Sequence, residues 1–136
     1  MNDEGEPAFI SLEQVMKLHR RSLAAHGGLD GVRDPGAVES ALASARNTWC
    51  YAGGDLWEIA AAYAFHLAES QAFLDGNKRT AISSAIAFLT ANDCADYGDD
   101  RELYAAMIAI ADRRLDKAGL AAVLRRQFPR GEGQSS

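Results

Sequence analysis

Apolar residues recur along the chain at the three- and four-residue spacing of amphipathic α-helices. The first series starts after Ser11, a residue type that caps helix starts, and stops before Gly27 and Gly28, which can end a helix. Asp34 followed by Pro35 predicts the start of a second helix, because proline is favoured in the first turn. The apolar positions of the first series are Leu12, Val15, Met16, His19 and Leu23.

Two alanine-rich stretches in the middle of the chain predict helices that pack closely together. Asp55 is placed to cap "LWEIAAAYAFHLAESQ", which is apolar almost all round and is therefore predicted to be central. After a break at Gly76, the stretch "NKRTAISSAIAFLTAND" continues with apolar residues on one helical face. Two further helices are predicted from "RELYAAMIAIADRR" and "LDKAGLAAVLRRQF".

The sequence predicts an all-α fold, because no segment alternates apolar and polar residues over the length of a strand. We expect a compact helical bundle in which the two alanine-rich helices form a central helix–turn–helix around Gly76. One domain is predicted over residues 9–128. Short polar stretches at 1–8 and 129–136 are predicted to be disordered tails.

Composition and charge narrow the functional classes. The chain has 136 residues, of which 48% are hydrophobic and 24% charged, as expected of one ordinary domain. No apolar run is long enough to span a membrane and the polar N-terminus does not resemble a signal peptide, so we expect a cytoplasmic protein. The net charge of −5 argues against direct binding to nucleic acid. Cys50 and Cys94 lie too far apart in sequence to suggest a zinc site.

The central turn, "SQAFLDGNKRTA", has the residues of a phosphate site. A turn that starts a helix presents free backbone N–H groups and partial positive charge, and Gly76 permits a left-handed backbone. Asn77 can donate through its amide, while Lys78 and Arg79 supply positive charge. Asp75 would repel a phosphate unless a cation such as Mg²⁺ lay between them. The set therefore predicts a Mg²⁺–nucleotide site.

A purely structural interpretation of the same turn is also open. Asp75 can cap the following helix, Gly76 can be an ordinary turn glycine, and Lys78 and Arg79 can be exposed residues of the first helical turn. Two basic residues at a helix start oppose the helix dipole, however, which favours a bound anion.

The stretch "FLDGNKRTA" closely resembles the signature of the death-on-curing (Doc) toxins of the Fic superfamily, written H-x-F-x-D-G-N-K-R. The likeness extends to "LEQVMKLHRRSLAAHGGLDGVRDPGAVESALASA", to "LWEIAAAYAFHLAES" and to "AIAFLTAND", and covers roughly residues 9–127. The resemblance implies a Fic/Doc-type helical fold. It also implies a toxin that transfers the γ-phosphoryl of ATP to a threonine of elongation factor Tu. A Phd-type antitoxin, whose C-terminal segment folds as a helix into a groove, would neutralise it.

The resemblance also implies a role for each motif residue. Phe73 would anchor the loop in the core, and Asp75 would hold Mg²⁺. Gly76 and Asn77 would form the anion hole for ATP phosphates, which Arg79 would also contact. Lys78 stands where larger Fic enzymes have a second glycine, and in the Doc branch it accompanies γ-phosphoryl transfer rather than adenylyl transfer.

Gln71 departs from the pattern, because it stands where the family has the histidine that acts as general base. Its amide has no useful basicity near neutral pH, although it can orient a hydroxyl by accepting a hydrogen bond. We therefore place Gln71, Asp75, Lys78 and Arg79 in the catalytic set. We expect intact Mg-ATP binding with a slow or absent transfer step.

The three histidines do not replace the missing base. His66 points about 140° away from Gln71 around the same helix, so we expect a packed or partly exposed residue. His19 is expected to be a satisfied core residue, and His26 a partner of a helix C-terminus. Gln71 is either natural or an introduced replacement.

Two alternative functions stay open. In these alternatives, the chain is either a catalytically inactive module that binds nucleotide or antitoxin, or an adenylyltransferase of the wider Fic superfamily.

Overall fold

In the computed structural model, which describes residues 5–131, the chain folds into six α-helices. Within that range, β pairing is limited to two isolated bridges, so the prediction of an all-α fold is confirmed. The helices are α1 (Leu12–His26), α2 (Pro35–Cys50), α3 (Leu56–Ser70), α4 (Asn77–Ala91), α5 (Arg101–Ala111) and α6 (Lys117–Gln127).

The predicted helix starts are confirmed by their hydrogen bonds. The side chains of Ser11, Asp34 and Asp55 each accept a hydrogen bond from a backbone N–H three residues further on. Pro35 occupies the first position of α2, where its missing N–H would have no partner in any case. Gly27 ends α1 with a φ of 81°, a conformation that favours glycine.

The helix α3 lies at the centre of the bundle and packs against α2, α4 and α6. Its small alanine side chains allow α4 to approach closely, as the sequence predicts. Larger buried side chains fill the space around them, and each contributes roughly 1.5–3 kcal/mol to stability. The turn from α3 to α4 is therefore carried by the two most deeply packed helices. The buried residues of α3 are Ile59, Ala60, Ala61, Ala62, Tyr63, Ala64 and Leu67.

Parts of both predicted tails are held against the segment that follows α4. The side chain of Asn92 forms two hydrogen bonds with the backbone of Ala8, of 2.8 and 3.0 Å. The N–H of Gly131 donates to the carbonyl of Asp93 at 2.7 Å. The folded structure thus reaches slightly beyond residues 9–128. Residues 1–4 and 132–136 of the predicted tails lie outside the described range.

The basic last turn of α6 is exposed to solvent. Arg125 pairs with Asp55 at 2.7 Å, and Arg126 pairs with Glu102. Exposed pairs of this kind contribute at most about 1 kcal/mol each, so they orient α6 rather than hold it in place. In the described part of the chain, every helix is too short or too polar to cross a membrane.

Candidate functional site

The turn between α3 and α4 is bracketed by two residues in the left-handed conformation. Gln71 ends α3 with a φ of 52°, and Gly76 precedes α4 with a φ of 81°. Glycine adopts this conformation readily, as predicted for Gly76, whereas Gln71 adopts it at a cost of roughly 1–2 kcal/mol. The Nε2 of Gln71 donates to the carbonyl of Ala68 at 3.1 Å, which satisfies one free carbonyl at the end of α3.

Phe73 and His19 anchor the turn in the core. Phe73 is 1% exposed, and its ring stacks on the imidazole of His19 with the centroids 3.9 Å apart. The Nε2 of His19 lies 2.8 Å from the carbonyl oxygen of Asp75 and donates to it, because a carbonyl can only accept. The predicted anchoring by Phe73 is confirmed, as is the prediction of a satisfied core histidine. The sequence does not indicate that His19 contacts the turn. The one relevant feature is that His19 is a polar residue among the apolar positions of the first helix.

The connection between α1 and α2 clamps the other side of the turn. The N–H of Leu29 donates to Oδ2 of Asp75 at 2.7 Å, and the N–H of Leu74 donates to the carbonyl of Gly31 at 3.1 Å. Gly31 has a φ of 143°, and a Cβ there would lie 2.8 Å from Cδ1 of Leu74. The positive φ favours glycine at this position, and a Cβ would also require the Leu74 side chain to move. The run of glycines between the two helices is the sequence feature that could have indicated this clamp.

Asp75 does not cap α4, so that part of the structural interpretation is wrong. The N-cap position is Gly76, and no side chain accepts a hydrogen bond from the first turn. One carboxylate oxygen of Asp75 is held by Leu29, and the other has no partner among the described residues. No group of three or more His, Cys, Asp or Glu forms in the described range, so Mg²⁺ here would need oxygen ligands from phosphate and water. One carboxylate with phosphate oxygens is a usual Mg²⁺ arrangement, so the residues fit the ion.

The start of α4 is a site for an anion. The first hydrogen bond of the helix is donated by Thr80 to the carbonyl of Gly76, at 2.9 Å. The four backbone N–H groups from Gly76 to Arg79 have no acceptor among the described residues. Four free N–H groups at the positive end of a helix dipole favour a bound phosphate or carboxylate.

The side chain of Asn77 is bonded to the backbone of the loop, and the second N–H of its Nδ2 is the donor that it can still offer to a phosphate. Its Oδ1 accepts from the N–H of Phe73, and its Nδ2 donates to the carbonyl of Phe73, both at 2.9 Å. The two bonds close the turn into a rigid loop. Asn77 can contribute to an anion hole through its backbone N–H and the second N–H of Nδ2, while its two bonds to Phe73 shape the loop.

Lys78 and Arg79, adjacent at the start of α4, line different clefts. Lys78 lines a cleft of about 250 Å³ together with Gln71, Glu69 and Met107. Arg79 lines a second cleft of about 240 Å³, between α4 and α1. The structure thus brings Gln71 and Lys78 into one cleft and places Arg79 in the other, which the sequence did not predict.

His66 is separate from this site, as expected. It lines a cleft between α2 and α3, and Nζ of Lys117 lies 3.0 Å from its Nε2. Burial and the nearby Lys117 ammonium lower the pKa of His66, so the neutral ring accepts a hydrogen bond from the lysine. His26 lies in the last turn of α1, as predicted, and is exposed.

Comparison with known proteins identifies a family and two relatives of this chain. The model of the Fic/DOC family matches residues 9–89. A protein of Escherichia phage P1 named protein kinase doc is 33% identical over 124 residues, which cover 90% of this chain and 98% of the phage protein. Toxin Doc of Mycolicibacterium smegmatis is 39% identical over 107 residues, which cover 74% of this chain and 80% of that toxin. The chain therefore belongs to the Doc family of the Fic superfamily.

Proposed function

We propose that this chain is a Doc-type toxin that transfers the γ-phosphoryl of Mg-ATP to a hydroxyl of a cytoplasmic translation factor such as elongation factor Tu. The names of its relatives, protein kinase doc and toxin Doc, support the reaction class. The observation that carries the proposal is the uncapped start of α4, which leaves four backbone N–H groups free beside Lys78 and Arg79.

These groups form the part of the site that binds Mg-ATP. The N–H groups from Gly76 to Arg79 hold phosphate oxygens, and Lys78 and Arg79 balance their charge from either side. The free oxygen of Asp75 holds Mg²⁺, which would neutralise phosphate charge during transfer. Asn77, Phe73 and the α1–α2 connection hold the loop in shape before the nucleotide arrives, and this lowers the ordering cost of binding.

Gln71 limits the rate of the transfer step, because it stands where a general base is needed. General-base assistance is worth roughly 10² to 10⁴ in rate, and an amide cannot supply it. The Nε2 of Gln71 donates to the carbonyl of Ala68, and its Oε1, the acceptor of the amide, can accept a hydrogen bond from the target hydroxyl. Phosphoryl transfer depends mainly on positioning and charge stabilisation, so a slow reaction is expected rather than none.

The proposal includes a partner that neutralises the toxin. We infer a Phd-type antitoxin whose C-terminal segment folds as a helix into a groove of this chain. The name toxin Doc carried by a relative supports an antagonist of this kind, because a toxin must be held inactive in its own cell. Co-purification with the product of a neighbouring gene, followed by mapping of the protected surface, tests this part separately.

The central test is transfer of radioactive label to purified elongation factor Tu. With ATP labelled at the γ-phosphate, we expect slow labelling of the factor, and the Asp75→Asn variant should lose it. Label from the α-phosphate would instead identify an adenylyltransferase, and the assignment of Lys78 to γ-phosphoryl transfer would be wrong. Binding of Mg-ATP without transfer of either label, in this chain and in Gln71→His, would identify a nucleotide-binding module.

A further inference from the structure

The cleft between α1, α4 and α5 combines positive charge with hydrogen-bond donors. It has a volume of about 240 Å³, and α1 and α4 each contribute an arginine to it. The imidazole of His26 and three hydroxyl groups complete its polar lining. The six polar residues are Arg21, Ser22 and His26 from α1, Arg79 and Ser83 from α4, and Tyr104 from α5.

Helix geometry directs the two arginines to the same space. Arg21 and Ala25 are four residues apart on α1, so they share the helix face that lines the cleft. Arg79 and Ser83 are likewise four residues apart on α4. The two guanidinium groups are therefore presented from facing helices, one from each wall.

The positive charge of this cleft is not balanced by the protein. Among the described residues that line it, none is acidic. Neither Arg21 nor Arg79 forms an ion pair within the described range, in contrast to the exposed pairs of Arg125 and Arg126. Two like charges that face one cleft repel each other, and a bound anion relieves this repulsion.

The cleft lined by Gln71 and Lys78 differs from this one in its charge and polarity. Glu69 and Lys78 contribute opposite charges to it, and Met107 and Ile110 make part of it apolar. A ligand with several negative charges will therefore prefer the cleft that contains Arg21 and Arg79. A neutral hydroxyl group fits better beside Gln71.

We infer that Arg21 is a phosphate-binding residue, and that the polyphosphate of the nucleotide runs from the start of α4 into the cleft that Arg21 shares with Arg79. The target hydroxyl then enters through the other cleft, which Gln71 and Lys78 line. This inference rests on the proposed function, because it names where the two substrates of that reaction lie. It adds a ligand on α1, outside the motif.

Calorimetry on two matched variants tests the inference. Arg21→Gln removes the proposed ligand, and Arg20→Gln removes the same charge from the neighbouring exposed position, about 100° away around α1. With Mg-ATP at low ionic strength, we expect Arg21→Gln to bind about tenfold more weakly, as for the loss of one charge-assisted hydrogen bond. Arg20→Gln should bind as the parent does. Tripolyphosphate should show the same ranking, and the difference should shrink as salt is added.

Other results would overturn the inference in separable ways. If both variants bind Mg-ATP as tightly as the parent, Arg21 does not contact the nucleotide and the proposed function is unaffected. If Arg21→Gln weakens ATP binding but not tripolyphosphate binding, the arginine contacts the nucleoside and its assignment to phosphate is wrong. If the parent binds neither ligand, the proposed function fails together with the inference.

Discussion

The imidazole of His19 lies nearly parallel to the ring of Phe73, with the ring centroids 3.9 Å apart and the planes at 14°. The same imidazole donates to the carbonyl of Asp75, which is 56 residues away in sequence. One buried side chain of α1 thus holds the motif turn both by stacking and by a hydrogen bond. The position of Asp75, and of the free N–H groups that follow it, depends on this contact.

Replacement of His19 by phenylalanine should separate these two contributions. His19→Phe keeps a flat ring against Phe73 but leaves the carbonyl of Asp75 without its donor, so we expect a loss of about 1 kcal/mol of unfolding free energy. His19→Ala removes the stacking as well and should lose roughly 3 kcal/mol or more. Urea unfolding measures both variants, and a His19→Phe protein as stable as the parent would show that the hydrogen bond is dispensable.

Replacement of Gly76 by alanine should affect stability and ligand binding together. A left-handed alanine costs roughly 1–2 kcal/mol, while the added Cβ would meet His19 and Leu23 only at ordinary contact distances of 3.5–3.6 Å. Gly98→Ala is the control, because Gly98 lies between α4 and α5, has a φ of 83° and has open space around it. We expect similar losses in thermal unfolding for the two variants but weaker Mg-ATP binding for Gly76→Ala alone. Equal nucleotide affinity in both would remove Gly76 from the site.

The helices could be predicted from the sequence because their signals are local. Ser11, Asp34 and Asp55 cap helices through bonds that reach three residues along the chain. The end of α5 is less regular: the polar pattern predicts a helix through Arg114, yet α5 stops at Ala111 and Arg113 adopts a left-handed φ of 62°. Nothing in the residue types of that segment marks the change.

The site could be predicted only in outline. The sequence indicates the left-handed Gly76 and the basic residues after it, since these follow from residue type and position. It does not indicate that Leu29 holds Asp75, because that hydrogen bond joins residues 46 positions apart. Nor does it indicate that the side chain of Asn77 bonds to the backbone of Phe73, because an amide suits a phosphate equally well. Tertiary packing decides which of these partners each side chain meets.

Replacement of Asn77 by alanine should loosen the motif loop. The change removes both bonds to the backbone of Phe73, and we expect a loss of roughly 1–3 kcal/mol and faster hydrogen exchange at the Phe73 N–H. Asn92→Ala is a control at the other end of α4, where the amide also bonds to backbone groups. Both variants should lose stability, but only Asn77→Ala should bind Mg-ATP more weakly. Unchanged exchange at Phe73 would contradict the loop-closing role.

Stability should fall on mild acidification because of His66. Its folded-state pKa lies below the ordinary value of 6.5, through burial and the Lys117 ammonium. The unfolded chain therefore binds the proton more readily, so the contribution of His66 is complete above pH 6.5 and is lost as the pH falls below it towards the folded-state pKa. In His66→Gln, which keeps an acceptor for Lys117, melting temperatures should fall less over this interval. Parallel pH profiles for the two proteins would show that His66 does not contribute.

Restoring histidine at position 71 should raise the rate of phosphoryl transfer. Histidine tolerates the left-handed conformation better than most residues, so Gln71→His should fold with little loss of stability. A general base should increase the transfer rate by roughly 10² to 10⁴, with little change in Mg-ATP affinity because the phosphate side of the site is untouched. Gln71→Ala, which can neither accept a proton nor orient the hydroxyl, should be no faster than the parent. Single-turnover transfer of γ-label measures all three proteins, and equal rates for Gln71→His and Gln71→Ala would show that position 71 does not act on the hydroxyl.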